Sequence, residues 1–351
     1  MKILAIETSC DETSVAIVEN DRVLMNKISS QIEVHKQWGG VVPGIAKRMH
    51  QENIDPVLQS ALKQVRMSVA DMDAIAVTYG PGLSIALEIG VAKAKELARE
   101  YGKPLIAVNH MEGHIYSNLA KNSKGLPEVE YSLPLLAVLI SGGHTELVLM
   151  TDHGKYEIIG KTLDDAIGEA FDKVARMLEL GYPGGPMIEE LAKAGNAKRF
   201  PLPIPMLKNP GADFSYSGLK TAVLYMMKRD ILPMKETVSA QEYKQIMCDV
   251  AASFQVAAVE SLIVKMEYAF KKLQLDHNIK DIVVGGGVSA NQYLRNKFRG
   301  KFGIRFRIHF PTDKKLIGDN AGMIGVAAYF KAMRGEFVDI EKLDRDPVLS
   351  L

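Results

Sequence analysis

The stretch Leu135-Leu136-Ala137-Val138-Leu139-Ile140, Ser141-Gly142-Gly143-His144-Thr145-Glu146, Leu147-Val148-Leu149-Met150 reads as a buried strand, a small polar turn and a second strand. The same three-part pattern opens the chain: Ile3-Leu4-Ala5-Ile6, the polar Glu7-Thr8-Ser9-Cys10-Asp11-Glu12-Thr13-Ser14, then Val15-Ala16-Ile17-Val18. A pattern recurring about 130 residues later is the mark of an internal duplication. A second echo supports it. Asp73-Ala74-Ile75-Ala76-Val77 runs into Tyr79-Gly80-Pro81-Gly82, and Asp281-Ile282-Val283-Val284 runs into Gly285-Gly286-Gly287, so each half ends a strand in a glycine turn and then starts a helix. Helical windows over residues 51–65, 87–101, 168–180 and 243–273 carry apolar residues at three- and four-residue steps. The expected architecture is α/β, with two related halves facing each other across a cleft. The halves are placed at residues 1–131 and 132–351, the second with a helical insertion over residues 165–280. The proline-rich segment 200–205 is expected to be extended rather than a linker.

At 351 residues, 47% hydrophobic and 24% charged, the chain has the composition of a globular protein with a substantial core, which excludes disorder. A formal net charge of +1 excludes a uniformly basic nucleic-acid binder but leaves room for a local patch. Two cysteines, and an acid at Glu7 before any apolar run of signal length, point to a reducing, cytoplasmic setting. The most apolar windows, 133–140 and 256–264, are too short or too interrupted by charge to span a bilayer, so no membrane partner is expected.

Chemistry enters with Asn109-His110-Met111-Glu112-Gly113-His114, which holds two of the eight histidines four residues apart. On a helix both imidazoles leave one face and can grip one metal ion, though such a pair also arises as ordinary packing. Asp319, read as the residue just before a small, apolar helix, has an obvious role as its N-cap. It could instead complete a two-histidine, one-carboxylate set with open positions, as iron(II) and catalytic zinc sites require. Zinc-peptidase chemistry would need a glutamate directly after the first histidine; that place holds Met111, and Glu112 lies about 200° round the helix.

The turns 8–13 and 141–145 suit phosphate handling, since small residues let backbone N–H groups approach an anion. Gly285-Gly286-Gly287-Val288-Ser289-Ala290-Asn291 could hold a phosphate or ribose at a helix start, but it fits neither the dinucleotide fingerprint nor the P-loop. Arg295, Lys297, Arg299, Lys301, Arg305 and Arg307, interleaved with Phe298, Phe302, Phe306 and Phe310, could form a nucleic-acid surface. The plainer reading is a helix end followed by a half-buried strand, 305–308, with its arginines in solvent. Cys10 reads as a small turn residue and Cys248 as core.

These motifs, taken with Gly39-Gly40-Val41-Val42-Pro43, Gly168-Glu169-Ala170-Phe171-Asp172-Lys173, Tyr182-Pro183-Gly184-Gly185-Pro186 and Phe214-Ser215-Tyr216-Ser217-Gly218-Leu219-Lys220-Thr221, closely resemble the TsaD family over nearly the whole chain. That family, formerly described as O-sialoglycoprotein endopeptidases, comprises the tRNA N6-adenosine threonylcarbamoyltransferases. The resemblance implies a duplicated actin-like ATPase fold of the sugar kinase, Hsp70 and actin kind (RNase H-like halves) around a nucleotide cleft. It implies transfer of a threonylcarbamoyl group from L-threonylcarbamoyladenylate to N6 of the adenosine 3′ of the anticodon in tRNAs reading ANN codons, with AMP released; AMP or ATP would fit the same cleft. It makes His110, His114 and Asp319 ligands of one divalent metal per subunit, iron first, with zinc or magnesium as alternatives. Leu139, Ile140, Ser141, Gly142, Gly143, Asp172, Gly185 and Asn291 become nucleotide-binding positions. Ser9, Asp11 and Glu12 fall at the threonylcarbamoyl end, with His144 or a carboxylate of the first turn as the proton acceptor. The partners implied are tRNA, an upstream threonylcarbamoyl-adenylate synthase, and a heterodimer with a TsaB-like paralogue and a TsaE-like ATPase, a homodimer being the alternative. A metal-dependent peptidase, a small-molecule kinase of the same fold and a non-catalytic scaffold are the competing readings. Two features depart from the family pattern: Glu88, Lys93 and Lys95 put charge into the helix after Gly82, and the chain ends without a longer basic tail.

Overall fold

The computed structural model describes residues 1–273 and 278–351. In the first half, β1 (Lys2–Glu7), β2 (Glu12–Glu19) and β3 (Arg22–Ser30) are followed by α1 (Ile32–His35), α2 (Pro43–Val65), β4 (Ala74–Gly80), α3 (Ser84–Tyr101), β5 (Leu105–Asn109) and α4 (His110–Tyr116). The second half contains β6 (Leu135–Ile140), β7 (Thr145–Asp152), β8 (Lys155–Lys161), α5 (Ile167–Met177), α6 (Gly184–Ala192), α7 (Ser217–Met226), α8 (Ala240–Leu273), β9 (Asp281–Gly285), α9 (Gln292–Phe302), β10 (Arg307–His309) and α10 (Ala321–Met333).

The duplication is complete at the level of the sheets. The first runs β3-β2-β1-β4-β5 and the second β8-β7-β6-β9-β10. In both, the three hairpin strands are antiparallel and the last two join in parallel. Alternation of side chains along each strand sorts the core into three apolar layers. Leu4, Ile6, Val15 and Ile17 face α2 and α3; Leu136, Val138, Ile140 and Leu147 face α5 to α9. Between the sheets, Ile3, Ala5, Leu135, Ala137 and Leu139 close on α4 and α10. Because β1, β2 and β6 are covered on both faces, they read as unbroken apolar runs rather than alternating ones.

Three strands, β3, β5 and β8, lie outside the segments read as strands from sequence. The edge strands β3 and β8 are mostly half-buried or exposed, so they carry little apolar signal. The predicted helices are present, with α2 and α3 beginning earlier, at Pro43 and Ser84. Both sheets fall on their own side of residue 131, but α10 packs against β1, β2, β3 and α4. The C-terminal segment also returns to the first half: Asp346 N donates to Tyr79 O at 2.7 Å, and Gly82 N donates to Pro347 O at 3.2 Å. Each sheet is thus built from one part of the chain, whereas the helical layer between them draws on both.

Helix α8 is long and apolar enough by composition to cross a membrane, yet 83% of its most apolar window is buried inside the fold. For the basic and aromatic run, packing favours the plainer of its two readings. Phe298, Phe302, Phe306 and Phe310 are core residues. Lys297 pairs with Glu260 at 3.0 Å, Lys301 with Glu267 at 2.6 Å and Arg307 with Asp281 at 2.7 Å. With its rings buried and half its charge neutralised, the run is not a stacking surface for nucleic acid. The expected strand starting at Arg305 begins at Arg307.

Candidate active site

Strand β5 ends at Asn109, whose side-chain oxygen accepts from Met111 N at 2.8 Å and Glu112 N at 3.4 Å. This N-cap starts α4 abruptly, so His110 is its first residue and His114 stands one turn on. Opposite them is Asp319. Its place was read as the N-cap of α10, but Asn320 takes that role, accepting from Met323 N at 3.0 Å. One residue further out, the Asp319 carboxylate is free to face α4. Its Oδ1 lies 3.4 Å from His110 Nε2 and 3.3 Å from His114 Nε2. α4 follows β5 and α10 follows β10, so the three side chains come from equivalent places in the two halves and meet where the duplication folds onto itself.

The set fits a metal ion. Ligand atoms about 2.0–2.2 Å from one ion lie roughly 3.0–3.5 Å apart; both carboxylate–imidazole separations fall in that range, and all three ligand atoms lie within 4.8 Å of one another. Both ring nitrogens of the fully buried His114 lack a hydrogen-bond partner among the described residues, a costly state for a polar group without a ligand. His110 and His114 are buried while the Asp319 side chain is 22% exposed, which leaves one side of the set open. Burial opposes the charged form of Asp319, but the two imidazoles outweigh it and hold the carboxyl far below the usual range. Burial also works against protonated His110, and there the carboxylates of Asp319 and Glu7 win, raising its pKa well above normal. For His114 burial prevails and the pKa falls.

Glu7 belongs to the site although the sequence reading passed over it. Its Oε2 is 3.1 Å from His110 Nδ1 and accepts from Thr78 Oγ1, and its side chain is fully buried. A carboxylate on the second ring nitrogen fixes tautomer and orientation. An acid closing an apolar strand was the available signal. Ser9 joins it, with Oγ 3.2 Å from His110 Nδ1. In the same turn, Asp11 accepts from Tyr182 Oη of the second half at 3.4 Å. Glu12 is bonded by Ser30 Oγ at 3.2 Å, and burial, then Asp11 and Asp319, push its carboxyl well up. Burial first and Asp11 next raise the Cys10 thiol as well, consistent with an unreactive turn residue.

The matching turn of the second half is closed by Ser141 N donating to His144 O at 2.9 Å and His144 N donating to Ser141 Oγ at 3.1 Å. Gly142 and Gly143 have neither a left-handed φ nor any neighbour within 4 Å of a built Cβ. Neither turn geometry nor packing demands glycine there; the space where each side chain would stand is open. His144 is pushed down to about 4 by burial first and then by the His110 and His114 charges, so its ring is neutral near pH 7.

Beside this turn a cavity of ≈ 240 Å³ is lined by Gly142, Phe171, Asp172, Gly185, Glu189 and Asn291, among others. Four of the predicted nucleotide positions therefore converge. Asp172 accepts from Gly184 N at 2.7 Å, and Asn291 caps α9 while donating to Gln255 Oε1 at 2.9 Å. Leu139 and Ile140 do not converge with them as side chains: both are fully buried β6 residues in the apolar layers, leaving only backbone for a ligand. Phe171, quoted above only as part of a motif, and Glu189, which no motif contains, also line the wall.

The chain matches the TsaD family, tRNA N6-adenosine threonylcarbamoyltransferase, over residues 22–326. The tRNA N6-adenosine threonylcarbamoyltransferase of Thermosipho melanesiensis is 47% identical over 333 residues, 94% of this chain and 94% of that protein. Its counterpart from Moorella thermoacetica is 47% identical over 342 residues, 96% and 94% of the two chains. Among solved structures, T. kodakarensis HypF superposes with a TM-score of 0.57 at 15% identity, covering 95% of this chain and 48% of that one. Component A of the Acidaminococcus fermentans (R)-2-hydroxyglutaryl-CoA dehydratase superposes with a TM-score of 0.53 at 15% identity over 95% and 99% of the chains. At that identity the two structures bear on fold alone, and both share the duplicated α/β plan.

Proposed function

Because the chain belongs to the TsaD family of tRNA N6-adenosine threonylcarbamoyltransferases, we propose that it transfers the threonylcarbamoyl group of L-threonylcarbamoyladenylate to N6 of the adenosine 3′ of the anticodon in tRNAs reading ANN codons. The observation that carries this reading is the place of the 141–145 turn: Gly142 lines the cavity, and His144 of the same turn is near enough to His110, His114 and Asp319 to feel their charges.

In this arrangement the AMP portion occupies the cavity, with Asp172, Gly185 and Asn291 around the nucleoside. The amides of Gly142 and Gly143 meet the phosphate and stabilise the charge that develops as AMP departs. Ser9, Asp11 and Glu12 line the threonylcarbamoyl end. The donor is a mixed anhydride and already activated, so the protein chiefly holds it and brings the weak nucleophile into line. N6 attacks the carbamoyl carbon, the carbon–oxygen bond to phosphate breaks, and the amine proton leaves for His144 or an Asp11/Glu12 carboxylate. Neutral His144 is a weak base, which suffices because the nitrogen becomes strongly acidic once the carbon–nitrogen bond forms.

The metal, when bound, supplies a Lewis acid and an orienting template for donor oxygens. Two imidazoles and one carboxylate suit iron(II) or zinc better than magnesium, which prefers oxygen donors. One ion per chain is expected. The cytoplasm, an upstream threonylcarbamoyl-adenylate synthase, a TsaB-like paralogue and a TsaE-like ATPase complete the proposed setting. A peptidase reading meets Glu112 buried beside Tyr156, whose hydroxyl donates to it at 2.8 Å, with Lys331 and Arg334 nearby; it is not disposed to activate a metal-bound water.

The test combines threonine, bicarbonate, ATP, the synthase, unmodified tRNA and the chain with its accessory proteins, and reads the product by nucleoside mass spectrometry. Threonylcarbamoyladenosine should form and be lost in His110→Ala and His114→Ala. No product in the complete mixture, or full product from both variants, overturns the reading.

A further inference from the structure

The chain's single tryptophan is Trp38, and 60% of its surface is exposed. Large apolar side chains standing singly on a surface are common and by themselves mean little. What distinguishes Trp38 is how firmly the backbone beneath it is held, and against what. It ends the short 3-10 turn Lys36–Trp38, and Gly39 follows in the left-handed region at φ 65°, where a side chain would be strained.

At one end the loop is tied to the first polar turn. His35 is fully buried, its Nε2 3.1 Å from Gln31 Oε1, and its Nδ1 accepts from Val42 N at 3.3 Å. Gln31 N in turn donates to Asp11 O at 2.9 Å. On its other side the loop meets the second half: Arg176 Nη2 donates to Gly39 O. Arg176 lies one helical turn beyond Asp172 on α5, and Asp172 lines the nucleotide cavity. Trp38 is thus fixed at the rim of the cleft, between the Asp11 turn and the wall of the nucleotide cavity, with its ring in solvent.

We propose that Trp38 is a stacking platform for an unpaired base of the RNA substrate next to the adenosine being modified; this rests on the function proposed above. To bring its N6 into the cleft, the target adenine must leave its neighbours in the anticodon loop, and each neighbour loses a stacking face. An indole held at the cleft mouth replaces that face without reading sequence, because every base presents a π surface. Phe298, Phe302, Phe306 and Phe310 are buried and cannot do so.

A lone tryptophan makes the test direct. The full chain is titrated with an anticodon stem-loop hairpin carrying a terminal fluorophore, and fluorophore anisotropy and tryptophan emission are followed together. Emission should be quenched in step with the anisotropy. Trp38→Ala should weaken hairpin affinity by about 5- to 150-fold, Trp38→Phe should keep most of it, and AMP affinity should be the same in all three proteins. If the hairpin binds while emission and the affinity of Trp38→Ala stay unchanged, the stacking role is refuted and the function stands. If the hairpin does not bind even with the accessory proteins present, the function reading fails and the stacking role with it.

Discussion

Removing the Glu7 carboxylate should loosen the metal without touching a ligand. Glu7 sits at the end of β1, fully buried, with Oε2 3.1 Å from His110 Nδ1. Burial alone would raise its pKa, but the His110 charge and hydrogen bond reverse the sign, so it is ionised where the site works. Its role is to hold the Nδ1 proton and so aim the Nε2 lone pair at the position shared with Asp319. Losing such an orienting partner typically lowers metal affinity about 10- to 100-fold, which is about 1.4–2.7 kcal/mol. Glu7→Gln keeps an acceptor and should fall near the low end. Glu7→Ala leaves only Ser9 Oγ, 3.2 Å away, and should approach the high end. Asp319→Ala removes a ligand and should cost more than either. The assay is competition against a chromophoric chelator, with zinc in air and iron(II) under anaerobic conditions; AMP affinity and thermal unfolding serve as controls. Glu7→Ala binding as tightly as the parent, while His110→Ala loses the ion, would refute the orienting role.

Three further outcomes follow from geometry. Gly142→Ala should fold with little change in thermal midpoint yet bind AMP more weakly, because the new methyl stands in the open space over the turn; Gly168→Ala should be markedly less stable, since its Cβ would lie 2.4 Å from Ser141 O. Lys297→Ala and Lys301→Ala should leave RNA affinity and its salt dependence unchanged in a filter-binding assay, as Glu260 and Glu267 already hold these charges. His144 is depressed to about 4 when folded, so the unfolded chain binds an extra proton between that value and about 6.5. Its contribution to stability is therefore present above about pH 6.5 and is lost as pH falls toward 4. Urea unfolding over this range should show an acid-side loss that His144→Gln reduces.

Much of the fold could be read from residue order because the duplicated strands are buried on both faces. Ile3 to Ile6 and Leu135 to Ile140 then read as continuous apolar runs at matching distances from matching glycine turns. The edge strands β3 and β8 escaped that reading because half-buried residues carry little of the signal. The candidate metal set was legible in part. His110 and His114 share a helix face by spacing alone, whereas Asp319 lies two hundred residues on, and only its family resemblance tied it to them before the fold did.

Tertiary structure decided which of two chemically reasonable roles each residue took. Asp319 and Asn320 are both good helix caps in sequence; Asn320 caps, and that frees Asp319 for the histidines. The alternating arginines, lysines and phenylalanines fit a nucleic-acid surface or a folded edge equally well until packing buried the rings and acids on α8 and β9 paired with the charges. Local periodicity records which face of an element is apolar, so the sequence alone determined the duplicated α/β plan and the histidine pair. Which distant element covers that face is a property of packing, and it was packing that brought Glu7, Asp319 and the Trp38 loop to the cleft.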